Sequence, residues 1–186
     1  PIREALQLVE RDGLIAREQR KGVRVAILTT EDLDELYACR ISLEVTAARL
    51  SAKNATDIEI KRLCESQAQC EERYRKNDVV GHFRANVEMS QRIFEAAHNR
   101  QLVRLLASIH KQALRYRYIA YQNSGAARKN SINNNAKLVD AIRRRDSEKA
   151  ASLMRSSIES SHGLIRDCLI DRDEKRRTAM LRPKKR

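Results

Sequence analysis

Hydrophobic residues recur at helical spacing along most of the chain and predict a series of long amphipathic helices. The first helix shows the pattern clearly, because four apolar side chains fall on one face: Ile2, Ala5, Leu6 and Val9. Asp12 and Gly13 end that helix. Two short β-type stretches follow, at 14–17 and 23–28, and the basic residues between them predict the tip of a small hairpin. A helix followed by a basic hairpin is typical of the C-terminal part of a winged helix-turn-helix domain.

From Thr29 onward the pattern is helical to the end of the chain, which predicts an all-α fold. Thr29 is expected to cap the first of these helices, and Thr56 with Glu59 has the spacing of a capping box at the second. The later helices are expected to open at Asn77–Asp78 and to run over 99–121, 132–144 and 147–172. Short connections between six helices imply an antiparallel helical bundle, whose pockets are lined by facing helices.

The pattern divides the chain into three segments. Residues 1–28 are predicted to be part of a winged-helix domain, 29–172 an α-helical domain, and 173–186 a solvated basic tail. Only 5 Gly and 2 Pro occur among 186 residues, which argues against a disordered chain and against an all-β fold. The formal net charge of +13 favours a polyanion or an organic anion as partner.

Two further features concern the cellular setting. No apolar run approaches the roughly 18 residues that a membrane span needs, and no secretion signal is recognisable, so a cytoplasmic location without membrane contact is expected. The four cysteines lie among helix-forming residues without CxxC pairing, and are expected to be reduced, buried thiols instead of disulfides or zinc ligands: Cys39, Cys64, Cys70 and Cys168.

Three helices carry polar residues where the inward face is otherwise apolar. Asn86 and Ser90 stand one turn apart, Asn135 lies in line with apolar residues of its helix, and Ser157 does so on the last helix. A buried amide or hydroxyl without a partner costs about 1 to 3 kcal/mol, so converging groups predict a polar cavity that holds water or a ligand. Two alternatives stay open: Asn86 and Ser90 face solvent, or the serines bond back to their own helices.

Two arginines extend this predicted cavity. Arg40 lies on the inward stripe of its helix with Glu44 one turn later, so either Glu44 or a ligand can neutralise it. No acidic residue occurs between Glu95 and Asp140, which gives that span a positive field. Arg117, within this span, continues an apolar line on its helix and is a candidate to contact an anionic ligand.

Several segments resemble one family of bacterial proteins. Residues 1–6 (PIREAL), with 13–15 (GLI) and 22–26 (GVRVA), resemble the recognition helix and wing of GntR-type transcription regulators. Residues 32–37 (DLDELY) and the Arg40 turn resemble the first helix of the FadR-type effector-binding domain, called the FCD domain. The resemblance covers essentially the whole chain. It implies operator DNA as a partner, a homodimer, and a helical domain that senses a small carboxylate or related metabolite.

The resemblance also implies which residues contact DNA. The recognition helix would enter the major groove with Arg3 and Gln7, and the wing tip at Arg20, Lys21 and Gly22 would reach the minor groove. The alternative for Arg3 is a helix-surface charge that interacts with its own helix neighbours.

One departure from the family concerns metal binding. Many members hold a divalent metal with an Asp and a His one turn apart and two further His on the last two helices. The matching positions here are Asn86, Ser90, Asn135 and Ser157, and the four histidines lie elsewhere: His82, His98, His110 and His162. Because neutral amides and hydroxyls do not supply that ligand set, no metal and no other cofactor is expected.

The sequence therefore predicts a ligand-responsive DNA-binding regulator with a metal-free effector pocket, and not an enzyme. Its predicted effector residues are Arg40, Asn86, Ser90, Arg117, Asn135 and Ser157. A second hypothesis is a basic helical nucleic-acid-binding protein without a small-molecule effector. A third, a hydrolase or lyase that uses Ser157 and His162, is disfavoured because their spacing does not place them reliably on one face.

Overall fold

The computed structural model of the chain describes residues 1–11, 13–18 and 22–181. This part of the chain is mostly helical, as predicted, with seven helices and one two-stranded sheet. The elements in chain order are α1 (Ile2–Arg11), β1 (Ile15–Glu18), β2 (Gly22–Val25), α2 (Thr30–Asn54), α3 (Asp57–Arg75), α4 (Val79–Glu95), α5 (Arg100–Asn123), α6 (Gly125–Arg143) and α7 (Ser147–Leu181).

The predicted hairpin forms after α1. Strands β1 and β2 are antiparallel, with Ile15 opposite Val25 and Glu18 opposite Gly22. Gly22 has a φ of +87°, a backbone conformation that glycine adopts without strain. Two residues of the predicted tip, Arg20 and Lys21, lie outside the described residues. The second strand ends at Val25 and not at residue 28.

The backbone of the residues after β2 is hydrogen-bonded to the helical domain. The carbonyl oxygen of Ala26 accepts a hydrogen bond from Arg115 Nη2 at 2.7 Å. The carbonyl oxygen of Leu28 accepts one from Arg172 Nη2 at 3.0 Å. The segment between β2 and α2 is therefore fixed to α5 and α7 by long-range contacts that periodicity does not reveal.

Helices α2 to α7 form the bundle. Helix α2 packs along α7, α3 packs along α4, and α6 packs along α7 around one continuous core. The largest fully buried apolar side chains are Leu33, Tyr37, Leu63, Met89, Ile93, Phe94, Leu106, Ile142, Ile165 and Leu169. Burial of the inward stripes of several helices against each other is the main source of stability in such a bundle.

The predicted helix starts are confirmed at three caps. The Thr29 side chain accepts from Asp32 N at 3.1 Å, and the Asp78 side chain accepts from Gly81 N at 2.8 Å. Thr56 and Glu59 form the complete capping box, in which each side chain accepts from the backbone of the other.

Two helix boundaries were predicted wrongly. Helix α6 begins at Gly125 and not at residue 132, because the Ser124 hydroxyl caps it and Ala127 is buried. The polar run that follows Ala127 hid this start. Helix α7 continues to Leu181 and not to about Arg172, because the charged residues beyond Arg172 are good helix formers. Residues 182–186 of the predicted basic tail lie outside the described residues.

The four cysteines are free thiols. Cys70 is buried, and burial, followed by the nearby Glu88, raises the pKa of its thiol to about 12. Cys64 and Cys168 are half-buried, whereas Cys39 is exposed, contrary to the prediction of buried thiols. Cys39 lies beside the inward stripe of α2 and not on it. No described helix offers a stretch of membrane length that is also sufficiently apolar.

Candidate functional site

A cavity of about 70 Å³ lies inside the bundle, between α2, α4, α5, α6 and α7. All six residues that the sequence singled out as effector ligands line it: Arg40, Asn86, Ser90, Arg117, Asn135 and Ser157. Each side chain lies on the inward face of its helix, and the six converge on one cavity, as their helical spacing predicted. Apolar side chains form the rest of the wall, among them Met89, Ile93, Leu138, Met154 and Ile158.

Arg40 is buried in this cavity, and part of its guanidinium has no hydrogen-bond partner. Its Nε donates to Glu44 Oε1 at 2.6 Å, and its guanidinium carbon lies 4.4 Å from the centre of the Tyr37 ring. Burial disfavours the charged guanidinium, but the Glu44 carboxylate outweighs burial, so the pKa of Arg40 is raised. Its Nη1 is buried without a hydrogen-bond partner. Glu44 is thus the partner of Arg40, and the Nη1 group remains available to another acceptor.

Arg117 is also buried, but both of its hydrogen-bond partners are neutral. Its Nη2 donates to Asn86 Oδ1, and its Nη1 lies 3.3 Å from His110 Nε2. Burial, followed by the positive charge of Arg40, lowers the pKa of Arg117. A buried cation with neutral partners is poorly compensated, because amide and imidazole dipoles replace only part of its hydration.

His110 is held neutral beside this guanidinium. Burial, followed by the charges of Arg117 and Arg40, lowers the pKa of His110 to about 2. Since Arg117 carries only donors, we assign His110 Nε2 as the acceptor and place the proton on Nδ1. That Nδ1 atom is buried without a partner. His110 therefore orients Arg117 without adding a positive charge.

A network of amide and hydroxyl groups surrounds Asn86. Asn86 Nδ2 donates to Ser131 Oγ at 3.0 Å, and the Tyr121 hydroxyl donates to the same Oγ at 2.6 Å. The Ser90 hydroxyl donates to the backbone carbonyl oxygen of Asn86 at 3.0 Å. For this serine, the alternative that its hydroxyl bonds back to its own helix is therefore correct. Asn135 Nδ2 is buried without a partner and supplies a free donor group on the cavity wall.

Sequence reasoning missed Ser131 and Asn130, which also line the cavity. Both lie before residue 132, in the two turns of α6 that were predicted to be a loop. The signal that could have found them was the Ser124 cap followed by Ala127, which starts the helix and sets its phase.

The other predicted site residues are placed as follows. Arg3 and Gln7 are exposed on α1, so a partner can reach both side chains. The Ser157 and His162 pair does not form, because His162 Nε2 instead lies 2.6 Å from Asp34 Oδ1. The hydrolase hypothesis therefore loses its catalytic pair.

The cavity residues do not fit a divalent metal. The four positions that match the metal ligands of the family carry two amides and two hydroxyls: Asn86, Asn135, Ser90 and Ser157. The Arg117 guanidinium also donates to the Asn86 side-chain oxygen, which would have to face a metal. A fixed cation at that place repels a second one. Among the described residues, no group of three or more His, Cys, Asp or Glu side chains is arranged to hold a metal ion.

Comparison with known proteins places this architecture in a family. The FCD domain family matches residues 35–160. The uncharacterized HTH-type transcriptional regulator YdhC of Bacillus subtilis (strain 168) is 33% identical over 113 residues, which cover 59% of this chain and 49% of YdhC. The chain thus matches about half the length of that relative.

Solved structures share the fold. McbR/YncC of E. coli superposes with a TM-score of 0.79 at 18% identity, over 88% of this chain and 82% of that one. A GntR transcriptional regulator from Rhodococcus sp. RHA1 gives a TM-score of 0.71 at 24% identity, over 88% and 78%.

The curated relative is named as a transcriptional regulator, which is the class that the sequence predicted. The chain belongs to the FCD domain family, which matches most of its length. The predicted resemblance of the helical domain to the FCD domain is confirmed.

Proposed function

We propose that the protein is a DNA-binding regulator of the bacterial cytoplasm whose helical domain binds a small carboxylate without a metal. The charge of the cavity is the observation that supports a carboxylate as the ligand. Two buried guanidinium groups, Arg40 and Arg117, line it with a single carboxylate, Glu44. Free donors at Arg40 Nη1 and Asn135 Nδ2 remain for an acceptor on the ligand.

Ligand binding can be tested by thermal shift and calorimetry with a panel of small carboxylates and their amides. A carboxylate at 100 times its Kd should stabilise the folded protein by about 2.7 kcal/mol, whereas the matching amide should not. Arg117→Gln should abolish the effect, and Arg104→Gln on the exposed face of the same helix should keep it. Equal stabilisation by acids and amides would contradict an anion site.

DNA binding is proposed for α1 and the hairpin. Arg3 and Gln7 are exposed on α1, and Gly22 begins the strand that follows the basic tip with Arg20 and Lys21. Selection from a random duplex library should enrich a two-fold symmetric site, since we propose a homodimer. Arg3→Ala should cost about 1 to 3 kcal/mol on that site and little on random DNA if Arg3 contacts a base edge. Light scattering should report twice the chain mass.

A basic helical nucleic-acid binder without an effector is the second candidate. The net charge of +13 supports it as well as it supports a regulator. It predicts DNA affinity that no carboxylate changes, so the thermal-shift panel also separates these two functions.

A further inference from the structure

The charges inside the cavity bear on which carboxylates it accepts. Three charged side chains line it among the described residues: Arg40, Glu44 and Arg117. Two positive charges and one negative charge leave a net charge of +1. His110 does not change this sum, because its pKa of about 2 keeps the ring neutral at physiological pH.

Glu44 is fixed as part of the wall. Its side chain is 4% exposed, that of Arg40 is 5% exposed, and Glu44 Oε1 accepts from Arg40 Nε at 2.6 Å. Both residues lie on the buried face of α2 one turn apart, so the helix and the ion pair hold the Glu44 carboxylate beside Arg40 at the cavity wall. The carboxylate therefore stays beside any ligand that contacts Arg40 Nη1.

We infer that Glu44 is the residue that restricts the cavity to ligands with one negative charge. This inference rests on the proposed function of the cavity as a carboxylate site. A monoanion neutralises the net charge of +1, whereas a dianion leaves one negative charge uncompensated next to Glu44. An uncompensated charge in a buried site is costly, because it loses its hydration without gaining a partner. The discrimination lies in the charge count and not in the number of hydrogen-bond donors.

The test compares size-matched acids: acetate with oxalate, and propionate with malonate. For the wild-type protein, calorimetry at pH 7.5 should give a lower Kd for the monoacid of each pair. Glu44→Gln keeps an acceptor for Arg40 Nε and raises the net charge of the cavity to +2. We expect it to shift the ratio of the two Kd values toward the diacid by about tenfold or more.

Two further variants isolate the charge count. Glu35→Gln, on the exposed face of α2, changes the total charge equally and should leave the preference for monoacids unchanged. The double variant Arg40→Gln with Glu44→Gln returns the net charge to +1 and should restore that preference. Should the single variant not fold, the wild-type ratio still tests the inference, because diacids that bind as tightly as monoacids would contradict it.

The outcomes separate this inference from the proposed function. If none of the four acids binds the wild-type protein, both the proposed carboxylate site and the role of Glu44 are wrong. If diacids bind the wild-type protein as tightly as monoacids, or if Glu44→Gln leaves the ratio unchanged, the site stands and the role of Glu44 is wrong.

Discussion

Arg115 and Arg117 are two positions apart on α5, and they contact different parts of the molecule. Arg117 lies in the cavity, whereas Arg115 Nη2 donates to the carbonyl oxygen of Ala26 at 2.7 Å, in the segment that leads from the hairpin to α2. Residues two positions apart point to opposite sides of a helix. Helix α5 therefore contacts the cavity on one side and the backbone next to the hairpin on the other.

The first prediction follows from this arrangement. Arg115→Ala should leave carboxylate affinity within about twofold and should reduce the effect of the carboxylate on DNA affinity, because the link between α5 and Ala26 is lost. Calorimetry measures the first quantity, and DNA titrations with and without ligand measure the second. Arg104→Ala, an exposed arginine on the same helix, serves as control. An unchanged ligand effect on DNA binding would show that Arg115 does not transmit it.

Asn135 provides a second prediction, in which stability and binding change in opposite directions. Its Nδ2 is a buried donor without a partner, which destabilises the free protein. Asn135→Leu should raise the free energy of unfolding by about 1 kcal/mol and weaken carboxylate binding about tenfold. Urea unfolding and calorimetry provide the two measurements. Asn133→Leu, exposed on the same helix, should change neither by more than about 0.5 kcal/mol. Lower stability of Asn135→Leu would mean that the amide is satisfied in solution.

The sequence located much of this cavity because buried polar residues interrupt apolar stripes. Asn86 and Arg117 were found in this way, since each replaces a hydrophobic residue at a helical repeat. Ser131 was missed because the predicted start of α6, at residue 132, was too late. The sequence therefore did not assign Ser131 to a face of that helix. The contact of Arg115 with Ala26 joins residues 89 positions apart. Only the packing of the hairpin segment against α5 determines such a contact, so no local pattern reports it.

A third prediction concerns the pH dependence of stability at the start of α3. Burial would raise the pKa of Glu59, but hydrogen bonds with His98 and Thr56 outweigh burial and lower it to about 2. Because the folded pKa lies below the ordinary value of 4.5, the unfolded state binds the extra proton between these two values. The stabilisation is therefore complete above the ordinary pKa and is lost as the pH falls toward 2.

Glu59→Gln should remove this part of the acid sensitivity. At pH 7 it should cost about 1 kcal/mol, and the difference from the wild-type protein should shrink as the pH falls from 6 to 3. Urea unfolding at a series of pH values measures both effects. Glu65→Gln, an exposed residue of the same helix, is the control. A difference that stays constant with pH would assign the cost to packing and not to the charge of Glu59.

The last prediction tests whether the cavity can be converted to a metal site. Asn86→Asp, Ser90→His, Asn135→His and Ser157→His together would place one carboxylate and three imidazoles on the wall of one cavity. Arg117 donates to the Asn86 oxygen, so its positive charge opposes a metal at that place. The quadruple variant should therefore bind Zn²⁺ or Ni²⁺ weakly, and adding Arg117→Leu should increase the affinity by about tenfold or more. Calorimetry with elemental analysis measures both, and circular dichroism checks that the helices are retained. A folded five-residue variant without metal affinity would mean that these four side chains do not converge in solution.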